Sequence, residues 1–175
     1  MTTKNANTPR SVHHTFINAP VDTVWSILVA TDKPLPFFFG CICQTTDGLK
    51  PGANMRMVHP NNKLAMVVGE VLAFEPPHRY SHTFKMTDLS DDPCTVTYEL
   101  KEKDGGTDFS LIIENAIEGS KLHKNMLSSQ GFISKNLKAI AETGKPVFSG
   151  KMVGLLSPLF GLVAKKEQRI ENWPL

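Results

Sequence analysis

Three residues of this sequence could hold or move a proton in an apolar setting: His59, Glu70 and His82. Strand-like alternation places them on one face with Met55, Met57, Met66, Val68, Phe84 and Tyr98. A buried carboxylate or imidazole needs a partner. It can pair with its neighbours, reach water at a strand end, or orient the polar end of a ligand in an otherwise apolar pocket. Acid–base chemistry by His82 and Glu70 would be a further step. No residue is assigned a catalytic role. The thioethers of Met55, Met57 and Met66 adapt to varied apolar shapes, which suits a ligand pocket as well as a core.

Metal chemistry finds no ligand set. His13 and His14 are adjacent and face opposite sides of a strand. His78 and His82 share parity without an acidic or thiol ligand fixed beside them, and Cys41 and Cys43 share a face without a second pair to complete four ligands. There is no phosphate-cradling glycine loop, no GxSxG and no HExxH. No metal or cofactor is expected.

The elements that must position these residues are legible as periods. Val12 to Ile17 reads as a first strand, and Val21 to Ala30 as a helix broken by Pro34 and Pro36. Phe37, Phe38 and Phe39 follow. Three adjacent aromatics cannot all face one way, so at least one is expected to face a groove or a mobile edge. Cys41 to Thr45 is a short strand. Alternating runs then occupy Ala53 to His59, Leu64 to Phe74, Tyr80 to Met86, Thr95 to Leu100 and Thr107 to Asn115, separated by turn residues. In the second run Leu64, Met66, Val68, Glu70, Leu72 and Phe74 are expected on one face. Ser120 to Pro146 carries Leu122, Met126, Phe132, Ile133, Leu137, Ile140 and Ala141 at helical spacing, with Gly144 and Pro146 as the stop. The expected fold class is α+β: a curved antiparallel sheet of about six to seven strands wrapped around a long C-terminal helix, with two short helices after strand 1. Phe132 and Leu137 would close a pocket from the helix side, and Phe37 and Phe38 would stand near its mouth.

At 175 residues the chain suits one compact domain. With 19 basic and 17 acidic residues and no dense basic block, nucleic acid is not an expected partner. Three cysteines make no disulfide framework and fit a reducing, cytoplasmic compartment. Residues 1–10 read as a flexible tail, 11–146 as the domain and 147–175 as an apolar C-terminal extension. Its run Met152 to Ala164 is shorter than the ~20 residues that span a bilayer. Pro158, Gly154 and Gly161 are expected to interrupt regular helix. The extension is expected to pack back on the domain or on a second copy as a homodimer. Peripheral membrane contact through Lys165, Lys166 and Arg169, or a lid over the pocket, are the alternatives.

The order of these elements, with the residues that decorate them, resembles the START-like helix-grip (SRPBCC) superfamily. Within it the chain is similar to homologues of the heat-shock-protein-90 ATPase activator C-terminal domain. The resemblance rests on Ile17-Asn18-Ala19-Pro20 with Val24-Trp25, on Pro51 to Arg56, and on Gly69 to Leu72 with Glu75 to Tyr80. It rests further on Thr95 to Leu100 with Asp104 to Thr107, and on Gly131-Phe132 running to Leu137 and Glu142 to Pro146. Phe132 stands where the family pattern usually has Trp. The resemblance implies a cavity between sheet and long helix that holds a hydrophobic small molecule, and no fixed catalytic set. It also implies two alternatives: a chaperone-interaction module, and a cyclase- or hydratase-like enzyme using the pocket His and Glu.

Overall fold

The computed structural model describes residues 10–175, apart from the side chains at 154, 157, 158 and 160. The expectation for the N-terminal tail therefore lies almost wholly outside the described residues. Strand β1 (Ser11–Ile17) leads into helix α1 (Val21–Leu28), then a 3-10 turn at Pro36–Phe38. Six strands follow: β2 (Ile42–Thr45), β3 (Asn54–Val58), β4 (Ala65–Glu75), β5 (Arg79–Met86), β6 (Cys94–Lys103) and β7 (Gly106–Glu114). Helix α2 (Lys121–Thr143) and helix α3 (Phe148–Phe160) come next, and two short 3-10 turns close the chain. The strands form one antiparallel sheet in the order β1-β7-β6-β5-β4-β3-β2. This is the helix-grip architecture.

Alternation builds the inner face. Phe84, Tyr98, Leu100, Phe109, Leu111 and Ile113 are buried beneath the helices, while Thr95, Glu99 and Lys101 lie on the other side and are half-buried or exposed. Strand β4 departs from the strict period. Its pairing shifts opposite Met57 and Val58, and again between Val71 and Ala73. Each irregularity inserts one residue and reverses the parity beyond it. Val67 and Val71 therefore take the inner face. Val68 is half-buried, and Glu70 and Leu72 are exposed, contrary to the expected face. Met66 remains inward beside Val67 because it is the inserted residue.

Helix α2 starts at Ser120, whose hydroxyl accepts from the His123 N–H at 3.0 Å, and the Asp91 carboxylate accepts from the Leu122 N–H at 3.0 Å. Gly144 ends it with φ 75°, and its N–H donates to the Ile140 carbonyl. The second half of α2 is the gripped half: Ile133 and Leu137 are buried, and the helix packs on β1, α1 and the Pro36–Phe38 turn. Lys138 donates to the Phe16 carbonyl at 2.6 Å, and Glu142 accepts from the Asn18 N–H at 2.7 Å, which pins this end to the β1–α1 junction. The extension is continuous helix from Phe148 to Phe160, not the interrupted run expected. It rests on the aromatic turn and on α2, where a Cβ at Gly150 would collide with the Asn136 amide. Beyond it, Ile170 donates to the Lys63 carbonyl, and Arg56 donates to the Trp173 carbonyl at 2.7 Å.

Candidate functional site

The first half of α2 stands away from the middle of the sheet and leaves a cavity of about 460 Å³. Val67, Phe84, Met86, Val96, Tyr98 and Leu111 form its floor on β4 to β7. Asn125, Met126, Ser128, Ser129, Gln130 and Ile133 form the helix wall. Phe38, Phe39 and Cys41 close one side, His59 and Met66 another, and Val153 of α3 a third.

The local sequence explains this arrangement. From Leu122 to Gln130 only Leu122 and Met126 of α2 are buried; Leu127 faces water, and the remaining positions are polar. Such a stripe is too thin to draw the helix down onto the sheet. The aromatic turn divides its three rings. Phe37 is buried in the core, Phe38 meets the cavity and Phe84, and Phe39 adopts a left-handed backbone (φ 53°). That conformation carries the Phe39 ring onto Phe132, with centroids 4.6 Å apart.

Of the residues singled out in the sequence, Phe38, His59, Met66, Phe84 and Tyr98 line the cavity. Phe37, Met55, Met57 and Leu137 are buried in the core, and Phe132 supports Phe39 from behind. Val68 and Glu70 border a separate shallow cleft with Trp173 on the outer face. His82 is buried on the inner face of the sheet, packed beside the floor among Tyr80, Phe84 and Tyr98 without lining the cavity. Its Nδ1 lies 2.8 Å from the Thr83 carbonyl, and burial pushes its pKa down to about 4. His82 and Glu70 are therefore no acid–base pair, since one is a neutral ring packed in the inner face and the other is exposed on the opposite face. Phe39, Val96, Leu111, the polar residues of α2 and Val153 went unrecognised in the sequence. The usable signal was the apolar-poor run Asn125 to Gln130.

The chemistry of the walls is simple. No Asp, Glu, Lys or Arg lines the cavity among the described residues. Burial pushes the Cys41 thiol up to about 12, and raises the Tyr98 hydroxyl as well, so neither ionises near neutral pH. The His59 Nδ1 accepts from the Asn61 N–H at 3.2 Å. The site thus offers an apolar body and an uncharged polar end at Asn125, Ser128, Ser129 and Gln130. Among the described residues no group of acidic, His or Cys side chains could hold a metal ion, and no helix is long and apolar enough to cross a membrane.

Residues 18–143 match the family model described as activator of Hsp90 ATPase homolog 1-like protein. Among solved structures, the Aha1 dimer from Colwellia psychrerythraea is similar at TM-score 0.62 and 12% identity, over 78% of this chain and 98% of that one. An HSP90 activator from Plasmodium falciparum gives 0.59 and 20%, over 78% and 97%. CalU16 from Micromonospora echinospora gives 0.54 and 20%, over 86% and 89%. At such identities the likeness concerns the fold alone. No curated protein matches the chain.

Proposed function

The chain belongs to the activator of Hsp90 ATPase homolog 1-like family, and on that premise we propose that it binds an apolar or amphipathic small molecule between the sheet and α2. The observation that carries this reading is the cavity of about 460 Å³ with an apolar floor and a polar edge. Its size falls in the ~300–1,000 Å³ range of small-molecule sites. The absence of Asp, Glu, Lys and Arg from its described lining favours a ligand whose polar end is a hydroxyl, ketone or amide. A carboxylate or phosphate there would be desolvated without a counter-charge.

Displacement of a solvatochromic dye by straight-chain alcohols, and by fatty acids of equal length, tests the reading. The alcohols are expected to compete better. A Val96→Trp variant, which fills the floor, is expected to lose dye and alcohol binding together. Equal binding by the wild-type chain and Val96→Trp would remove the cavity from consideration.

A second reading, contact with a heat-shock-protein-90-type chaperone, is supported by the family's description and by the likeness to the Plasmodium falciparum activator. It predicts a rise in chaperone ATPase rate on adding the chain. An unchanged rate at saturating excess would count against it.

A further inference from the structure

Between Lys145 and Arg169 the chain concentrates positive charge. Lys145, Lys151, Lys165, Lys166 and Arg169 stand against one carboxylate, Glu167, whereas the whole chain carries a net charge of only +2. The same segment holds large apolar side chains out in water. Phe148, Met152, Leu155 and Leu159 recur at spacings of four, three and four, which is one face of α3. Leu155 is 73% exposed and Leu159 58%, and the face continues into Leu162 at 82%. Val153 lies about a third of a turn from Met152 and turns inward to the cavity, so the outward face is separate from the ligand wall. A contiguous apolar face of this kind on a folded protein marks a partner surface.

We propose that this face of α3 is an interfacial anchor for an anionic lipid surface. The charge distribution selects the occupant. A second copy docked face to face would bring the same excess of cations against this one, whereas an anionic bilayer answers it. Arg169 meets Glu171 at 3.7 Å in an exposed pair, which holds its cation weakly. Lys165 is engaged by half-buried Asp88, through the carboxylate at 3.8 Å and the backbone carbonyl at 3.1 Å. Among the described residues Lys145, Lys151 and Lys166 make no ion pair. The thirteen-residue helix is about 20 Å long, too short to span and suited to lying in the headgroup plane. The inference is independent of what fills the cavity.

Co-sedimentation of the full chain with phosphatidylcholine vesicles, with and without about one-third phosphatidylserine, tests it. Binding is expected on the serine-containing vesicles and to weaken with salt. Leu155→Ser with Leu159→Ser, both at exposed positions, is expected to lower binding at least about tenfold with an unchanged thermal melt. Lys165→Glu with Lys166→Glu is expected to lower it too, and to flatten its salt dependence. Binding indifferent to phosphatidylserine, or unchanged in the leucine variant, would overturn the proposal. So would a self-association in solution that the leucine variant abolishes without any vesicle binding, since the face would then belong to a second copy.

Discussion

Phe39 lies face to face on Phe132, with ring planes 7° apart. One ring comes from the turn before β2 and the other from the middle of α2, so the stack joins two walls of the cavity. Aromatic pairs contribute about 0.5–1.5 kcal/mol beyond the area they bury. A double-mutant cycle with Phe39→Ala and Phe132→Ala, read by urea unfolding, is expected to return a coupling in that range. Each single variant is also expected to speed ligand release, because Phe39 itself lines the cavity. Additive losses would mean the stack is incidental.

His82 makes stability depend on pH. The folded chain keeps its ring neutral down to about pH 4, whereas the unfolded chain protonates it near the ordinary value of 6.5. Between those values the unfolded state binds the extra proton, so stability falls as pH drops through the window and levels off below it. The full effect is on the order of 3 kcal/mol. His82→Gln, which keeps a donor for the Thr83 carbonyl, is expected to remove this slope. Denaturant titrations at pH 7, 5.5 and 4.5 check it, and parallel slopes in both proteins would sink the assignment.

Glu142 acts in the opposite chemical sense. The hydrogen bond from Lys138, and then that from the Asn18 N–H, hold its carboxyl below the usual carboxylate range. That contribution is present above the unfolded value of 4.5 and is lost as pH falls through the lowered one. The group is exposed, so Glu142→Ala is expected to cost only about 0.5–1 kcal/mol at neutral pH. Hydrogen exchange at the Asn18 amide is expected to rise, and unchanged protection there would show that the pin contributes nothing.

Gly69 admits no side chain. A Cβ there would run into the Thr83 backbone carbonyl, the same oxygen that faces His82 Nδ1. Thr83 also reaches across with its hydroxyl to accept from the Glu70 N–H at 2.8 Å. Gly69→Ala must therefore push β4 and β5 apart, at about 3 kcal/mol or more. Thermal melts check this, and a variant as stable as wild type would show that the strands separate freely.

The two halves of α2 separate core from cavity in energetic terms. Leu137 is fully buried away from the cavity, so Leu137→Ala is expected to cost about 2–5 kcal/mol and leave ligand affinity in the folded fraction unchanged. Affinity lost in step with stability would mean that the cavity and the gripped half are not independent.

The strand-and-helix order was legible because each run keeps one period and ends on turn residues, as at Pro51-Gly52 and Asp104-Gly105-Gly106. The face of β4 was not. Its irregularities come from pairing with β3 and β5, and no local residue type announces a skipped position. Strict alternation therefore turned Glu70 inward and lost Val67. The cavity was half legible: its aromatic and thioether residues carry an apolar signal, but Asn125, Ser128 and Ser129 look like any solvated helix surface until the sheet beneath them is known. Phe39 was hidden for another reason. Its ring direction follows from a left-handed backbone that phenylalanine seldom adopts.

Residues past α3 return to the β3–β4 hairpin, where Ile170 meets the Lys63 carbonyl and Trp173 is held by Arg56. Helix α3 is consequently fastened at both ends, like a footbridge rather than a flap. Each mooring raises the local concentration of the other, so Val153 stays at the cavity although few contacts hold α3 in its middle. A chain cut after Ala164 would retain all seven strands and α2, yet α3 would keep only its N-terminal mooring at Pro146 and its packing on α2 and the aromatic turn.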